Sequence, residues 1–181
     1  MKVLVVIDMQ KDFVSPEGVL YCESLYTKSM EDIIPVIKER IYEARQNKEM
    51  VIFTQDTHTE EDYPDSIEAK SYPPHCLYGT EGWQIVDELA DEATLCVYKK
   101  SYGCFDLINR IQMMANALNE RPEIEICGGP AGVCVAANAA LLRTAFPNSI
   151  IRVNRGLIAD VNRIVKADAM GQMKRWNIEV I

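Results

Sequence analysis

Four short apolar runs, each leading to a reactive side chain, limit what this 181-residue chain can fold into. Residues 2–7 (KVLVVI) are continuous and Val-rich, which fits a strand buried on both faces, and Asp8 follows at its C-terminal end. Residues 50–55 (MVIFTQ) repeat the pattern and end at Asp56, and 94–99 (TLCVYK) close on Lys99. Residues 123–127 (EIEIC) run into Gly128, Gly129 and Pro130, after which Cys134 opens a helix-forming run. Between the strands, apolar residues recur at helical spacing. Ile33, Ile34, Ile37, Ile41 and Ala44 give an amphipathic helix over 31–46, and helices are expected at 83–90, 105–118, 133–145 and 161–175. Further strands at 149–153 and 178–181 bring the expected sheet to six. This alternation predicts an α/β fold of Rossmann-like type, a three-layer αβα sandwich with a mostly parallel sheet, forming one domain over 1–181. Residues 9–27 show no period and contain Pro16 and Gly18, so they read as loop. Residues 57–79 are polar and too long for a simple connection, and loops of that length are usually functional or mobile.

The composition, 48% hydrophobic and 25% charged, is that of an ordinary globular protein. A formal charge of −8 argues against a nucleic-acid or anionic-membrane partner, because phosphate backbones are met by clustered Lys and Arg. No apolar run is long enough to span a bilayer, and no secretion signal is recognisable at the N-terminus. Six cysteines without CxxC spacing then fit reduced thiols, and the expected location is the cytoplasm.

Ligands of open parallel α/β sheets bind at the C-terminal ends of the strands. In such a sheet Asp8, Asp56, Lys99 and Cys134 meet at one edge. Each has a plainer reading: a strand-end Asp caps a helix, a strand-end Lys is exposed, a Cys packs, and a Gly-rich turn cradles any anion. At a helix start, the positive dipole end would favour the thiolate of Cys134 and make it a nucleophile. The only two histidines, His58 and His75, both fall in the 57–79 stretch. Asp56-x-His58 at a strand end, with His75 from the loop, could hold a divalent metal, for which mixed carboxylate and imidazole ligands suit Zn, Fe or Mn. Two surface histidines and an unrelated Asp satisfy the spacing equally well.

Five ordered blocks carry a resemblance over nearly the whole chain: Val6 to Gln10 with Asp12-Phe13; Asp56-Thr57-His58; Tyr72 to Cys76 with Gly79 to Gly82; Lys99, Tyr102 and Phe105; and Gly128 to Val135. The chain resembles the isochorismatase-like cysteine hydrolases, most closely their nicotinamidase branch. The resemblance implies an Asp8–Lys99–Cys134 catalytic triad and Asp56, His58 and His75 as ligands of a divalent metal, Zn or alternatively Fe or Mn. Phe13 and Tyr72 stand where nicotinamidases sandwich a pyridine ring, and Pro130 and Ala131 complete the substrate-binding set. The implied reaction is hydrolysis of nicotinamide or a related ring amide, in NAD salvage, through a Cys134 thioester. Another small amide or ureido substrate, or ligand binding without turnover, are the alternatives, and a homo-oligomer is left open. The match departs at Ala131 and Gly132, where the family usually has Thr and Asp, and at Tyr72, where Trp is common. At Gly129-Pro130 the family has a cis peptide. Proline makes that bond far cheaper, but it removes an N–H expected to help bind the oxyanion, so either a neighbouring N–H, such as that of Ala131 or Cys134, serves or the chain is a slow or differently directed hydrolase.

Overall fold

Strand β1 (Lys2–Ile7) lies inside a six-stranded sheet in the order β3-β2-β1-β4-β5-β6. In chain order the others are β2 (Met50–Asp56), β3 (Cys96–Lys99), β4 (Glu123–Gly128), β5 (Ile151–Ile158) and β6 (Glu179–Val180). Every neighbouring pair is parallel, so the sheet is wholly rather than mostly parallel. The computed structural model describes residues 1–21 and 29–181; Cys22 and the end of the expected 9–27 loop lie outside the described residues.

Alternation along β1 sorts the core into two layers. Val3, Val5 and Ile7 pack with α4 (Phe105–Leu118), α5 (Ala136–Ala145) and α6 (Arg163–Arg175) through Leu107, Ile111, Leu142 and Met173. Leu4 and Val6 face the other way, onto α2 (Ile34–Gln46) through Ile37, Ile41 and Ala44 and onto α3 (Asp87–Ala90) through Leu89. Strand order reverses between β1, which leads to β2, and β4, which leads to β5. That crevice is where an open α/β sheet places its ligand, and Asp8 and the Gly129-Pro130 turn stand on its two sides.

Several element bounds differ from the sequence expectation for physical reasons. The 83–90 helix shrinks to Asp87–Ala90, because Ile85 forms an antiparallel bridge with Gln10 and holds the preceding chain extended. The first turn of the 31–46 helix is a tight 3-10 turn at Glu31–Ile33, with Pro35 at the start of α2. Helix α6 begins at Arg163, since Asn162 caps it by accepting from the N–H groups of Ile164 and Val165. Strand β5 runs on to Ile158, past a register shift against β4. Lys11–Val14 forms one helical turn, α1, inside the segment read as loop.

Candidate active site

Asp8 follows β1 with φ +47°, an uncommon backbone for a residue with a side chain, and is completely buried. Its Oδ1 accepts the Thr54 hydroxyl at 2.6 Å and its Oδ2 lies 2.8 Å from Lys99 Nζ. Lys99, paired with Asp56 in the β2–β3 register, also places its ammonium 3.2 Å from Asp56 Oδ1 and 3.6 Å from Cys134 Sγ. Three strand ends and one turn thus bring Asp8, Asp56, Lys99 and Cys134 into contact around one buried cation.

The charges are set by burial and by that cation. Burial pushes the Asp8 carboxyl up from its ordinary value, against the opposing pull of Lys99. Burial alone would lower Lys99, but Asp8, Cys134 and Asp56 together hold it well above the usual lysine range. Burial also raises the Cys134 thiol well above the ordinary cysteine value, with Lys99 opposing. Burial thus favours the thiol form of Cys134, against the pull toward the thiolate that its place at a helix start suggests. The chain enters α5 through a wide π turn, Ala131–Val135, in which Cys134 is buried.

The turn has its own anchors. The Gly129-Pro130 bond is cis. Ala131 is fully buried and donates its N–H to the Ala159 carbonyl at 2.8 Å, and Gly132 donates to the Asp160 carboxylate. Those two N–H groups are therefore engaged by residues just beyond β5. Gly132 has a packing reason to be glycine, since a Cβ there would lie 2.4 Å from Val165 Cγ1. Inside α5, buried Asn138 accepts from Cys104 N–H at 2.9 Å and donates to the carbonyls of Tyr102 (3.0 Å) and Cys134 (2.8 Å).

Beside this group lies a second one. Asp56, His58, Glu68 and His75 are all buried, and one ligand atom from each falls within 4.8 Å of the others. Asp56 Oδ2 is 3.3 Å from His58 Nε2 and 3.4 Å from His75 Nε2, and the Glu68 carboxylate is 3.9 Å from each ring nitrogen. Two carboxylates and two imidazoles of this spacing fit a divalent cation such as Zn. Supporting bonds orient them: Gln10 brackets Asp56 through its backbone N–H and carbonyl, and Asp12 holds the Cys76 N–H at 2.6 Å. The Pro73 carbonyl lies 2.8 Å from His75 Nδ1, turning Nε2 toward the cluster. Glu68 enters from a 3-10 turn (Glu68–Lys70) and was not anticipated. Glu60, Glu61, Asp62 and Asp65 lie in the same polar stretch, and no spacing singles out Glu68.

Both groups open onto one cavity of about 400 Å³, lined by Cys134 on one side and Asp56, Glu68 and His75 on another. Phe13, Tyr72 and Pro130 line it as well, together with Tyr102, Val133, Asp160 and Val165, none of which was expected to bind substrate. The T-shaped contacts of Phe13 and Tyr72 with His75, at 5.7 and 6.2 Å between ring centroids, keep both rings beside the metal-type cluster.

The fold and site define a wholly parallel α/β protein with an acid–lysine–cysteine cluster beside a two-histidine, two-carboxylate cluster. The isochorismatase domain model matches residues 2–146, and the chain belongs to the isochorismatase family. It is 28% identical to a nicotinamidase of Saccharomyces cerevisiae over 51% of each chain, so the match spans about half the length of that relative. Two solved structures share the fold: a pyrazinamidase/nicotinamidase from Streptococcus mutans (TM-score 0.86, 23% identity, all of both chains) and a pyrazinamidase of Pyrococcus horikoshii in complex with zinc (TM-score 0.82, 24% identity, 99% of this chain and 98% of the other). Among the described residues no helix is long and apolar enough to cross a membrane.

Proposed function

We propose that this chain, working as one domain in the cytoplasm, is a metal-containing cysteine amidohydrolase that converts nicotinamide or a related ring amide to the acid and ammonia, a reaction of NAD salvage. The observation that carries this reading is the single cavity shared by the Cys134–Lys99–Asp8 group and the Asp56–His58–Glu68–His75 group. The yeast relative is a nicotinamidase, and the Pyrococcus pyrazinamidase was solved with zinc, which supports Zn over Fe or Mn.

Burial favours the thiol form of Cys134, so attack needs a base, and Asp8 shares the Lys99 ammonium with it. Asp8 takes the thiol proton while Lys99 keeps the carboxylate and the emerging thiolate paired with a cation. Sγ then bonds to the amide carbon, and the carbonyl oxygen becomes an oxyanion served by the Cys134 N–H. As the C–N bond breaks, Asp8 returns the proton to the leaving nitrogen, giving ammonia and a thioester. Asp8 next draws a proton from water, which attacks the thioester, and the proton goes back to Sγ as the acid leaves. Phe13 and Tyr72 clamp the ring from the cavity wall. Asp56, His58, Glu68 and His75 would hold a divalent metal, which would supply a Lewis-acid site for positioning the substrate.

The commitment of the Ala131 and Gly132 amides to β5 favours, as a second reading, slower or differently directed hydrolysis of another small amide or ureido compound. Ammonia release from nicotinamide and from a panel of ring amides and ureido compounds, with Zn, Fe or Mn added, tests both. The wild type is expected to release ammonia and Cys134→Ala is not. Absence of release from every compound would defeat the hydrolase reading.

A further inference from the structure

We infer that Asp160 sets the charge preference of the cavity, so that ring amides that are neutral or carry a cation are accepted and those with an anionic substituent are turned away. The inference rests on the amidohydrolase reading above. Asp160 lies just beyond β5, is 4% exposed and lines the cavity. Its Oδ2 accepts the Gly132 N–H and its Oδ1 the Val161 N–H, at 2.7 Å in the second case. Burial pushes its carboxyl up, but both amides and the more distant Lys166 ammonium favour the ionised form.

What separates Asp160 from the other acids of the site is how each charge is matched. Asp8 and Asp56 both face the Lys99 ammonium, and Asp56 and Glu68 belong to the group that suits a divalent cation. Among the described residues, the hydrogen-bond donors to Asp160 are the amides of Gly132 and Val161. Lys166 gives hydrogen bonds to the carbonyls of Arg155 and Ile158, at 2.9 and 2.6 Å. Pro130, Val133, Val161 and Val165 line the same cavity, and with Asp160 itself 4% exposed little water screens its field. A carboxylate has about four acceptor sites, and the amides occupy two, which leaves lone pairs for an ammonium or N–H donor on a ligand.

Three nicotinamides substituted on the ring carbon opposite the amide-bearing side, with a hydroxymethyl, an aminomethyl or a carboxylate group, differ mainly in charge. At fixed pH and ionic strength, kcat/KM of the metal-loaded wild type for the carboxylate compound is expected at least ~10-fold below that for the hydroxymethyl one, with the aminomethyl compound equal or better. Asp160→Asn keeps the side-chain shape and is expected to close that gap by about the same factor. A purely structural role would lower all three substrates alike, and that outcome, or a wild type indifferent to charge, overturns the inference while the amidohydrolase reading stands. If no compound releases ammonia the hydrolase reading fails instead. Dissociation constants of the three compounds then decide the charge preference: the same order supports Asp160, and equal or undetectable binding overturns it.

Discussion

Replacing Lys99 by Met removes a cation that contacts three members of the site, Asp8, Asp56 and Cys134. Asp8 is completely buried, and Lys99 is nearly so. At an effective dielectric constant of about 20, contacts of 2.8 and 3.2 Å correspond to about 6 and about 5 kcal/mol of gross attraction. Desolvation of all three groups offsets much of this, and what unfolding reads is the cost of leaving buried carboxylates unmatched, about 3–5 kcal/mol. For a chain of this size that is a drop of roughly 6–20 °C in Tm. The assay is urea unfolding in reductant and chelator, followed by the fluorescence of Trp83 and Trp176. Asp8→Asn placed on top of Lys99→Met removes one stranded charge and should recover at least about 1 kcal/mol. A single-variant loss below about 1 kcal/mol, or a double variant no more stable than Lys99→Met, would refute the idea that Lys99 balances Asp8.

Glu68→Gln should weaken Zn binding at least ~10-fold in competition with a chromophoric chelator; unchanged affinity would return the site to the three ligands Asp56, His58 and His75. Gly132→Ala should cost about 1–3 kcal/mol and slow ammonia release, because its Cβ would meet Val165, and Val165→Ala should restore much of both; a fully stable, fully active Gly132→Ala would show that the turn has slack. Burial raises the thiols of Cys76, Cys127 and Cys134. In the unfolded chain these ionise near about pH 8.5, so the stability they contribute is complete below that pH and is lost as pH rises above it. The urea midpoint should therefore fall from about pH 8 to about pH 10 in reductant, and a flat profile would contradict the burial of these groups.

The strands were legible because each is a short apolar run and β1 is buried along nearly its whole length. The meeting of Asp8, Asp56, Lys99 and Cys134 followed from their places at strand ends, once the sheet was taken as parallel. Contacts made by loops were not legible. Glu68 sits among several acids, and what brings it to the histidines is the fold of 57–79 rather than any period. Asp160, just ahead of the expected 161–175 helix, carried no signal, yet it takes the Gly132 amide and joins the cavity wall. The depth of Cys134 was not legible either, since a dipole can be inferred from position in the chain whereas full burial depends on helices α4, α5 and α6 closing over the turn.

Asn138 has a mechanical consequence. Lys99 is carried by β3, a four-residue edge strand bonded to β2 alone, the kind of element that frays first. Cys134 stands beyond β4, on the far side of two intervening strands. By accepting the Cys104 N–H at its amide oxygen and donating from its amide nitrogen to the carbonyls of both Tyr102 and Cys134, Asn138 rivets the chain after β3 to the turn after β4. Slow amide exchange at Cys104 should then rise and fall with that of the Cys134 turn rather than with the rest of the sheet edge. The ammonium and the sulfur would open together or stay closed together.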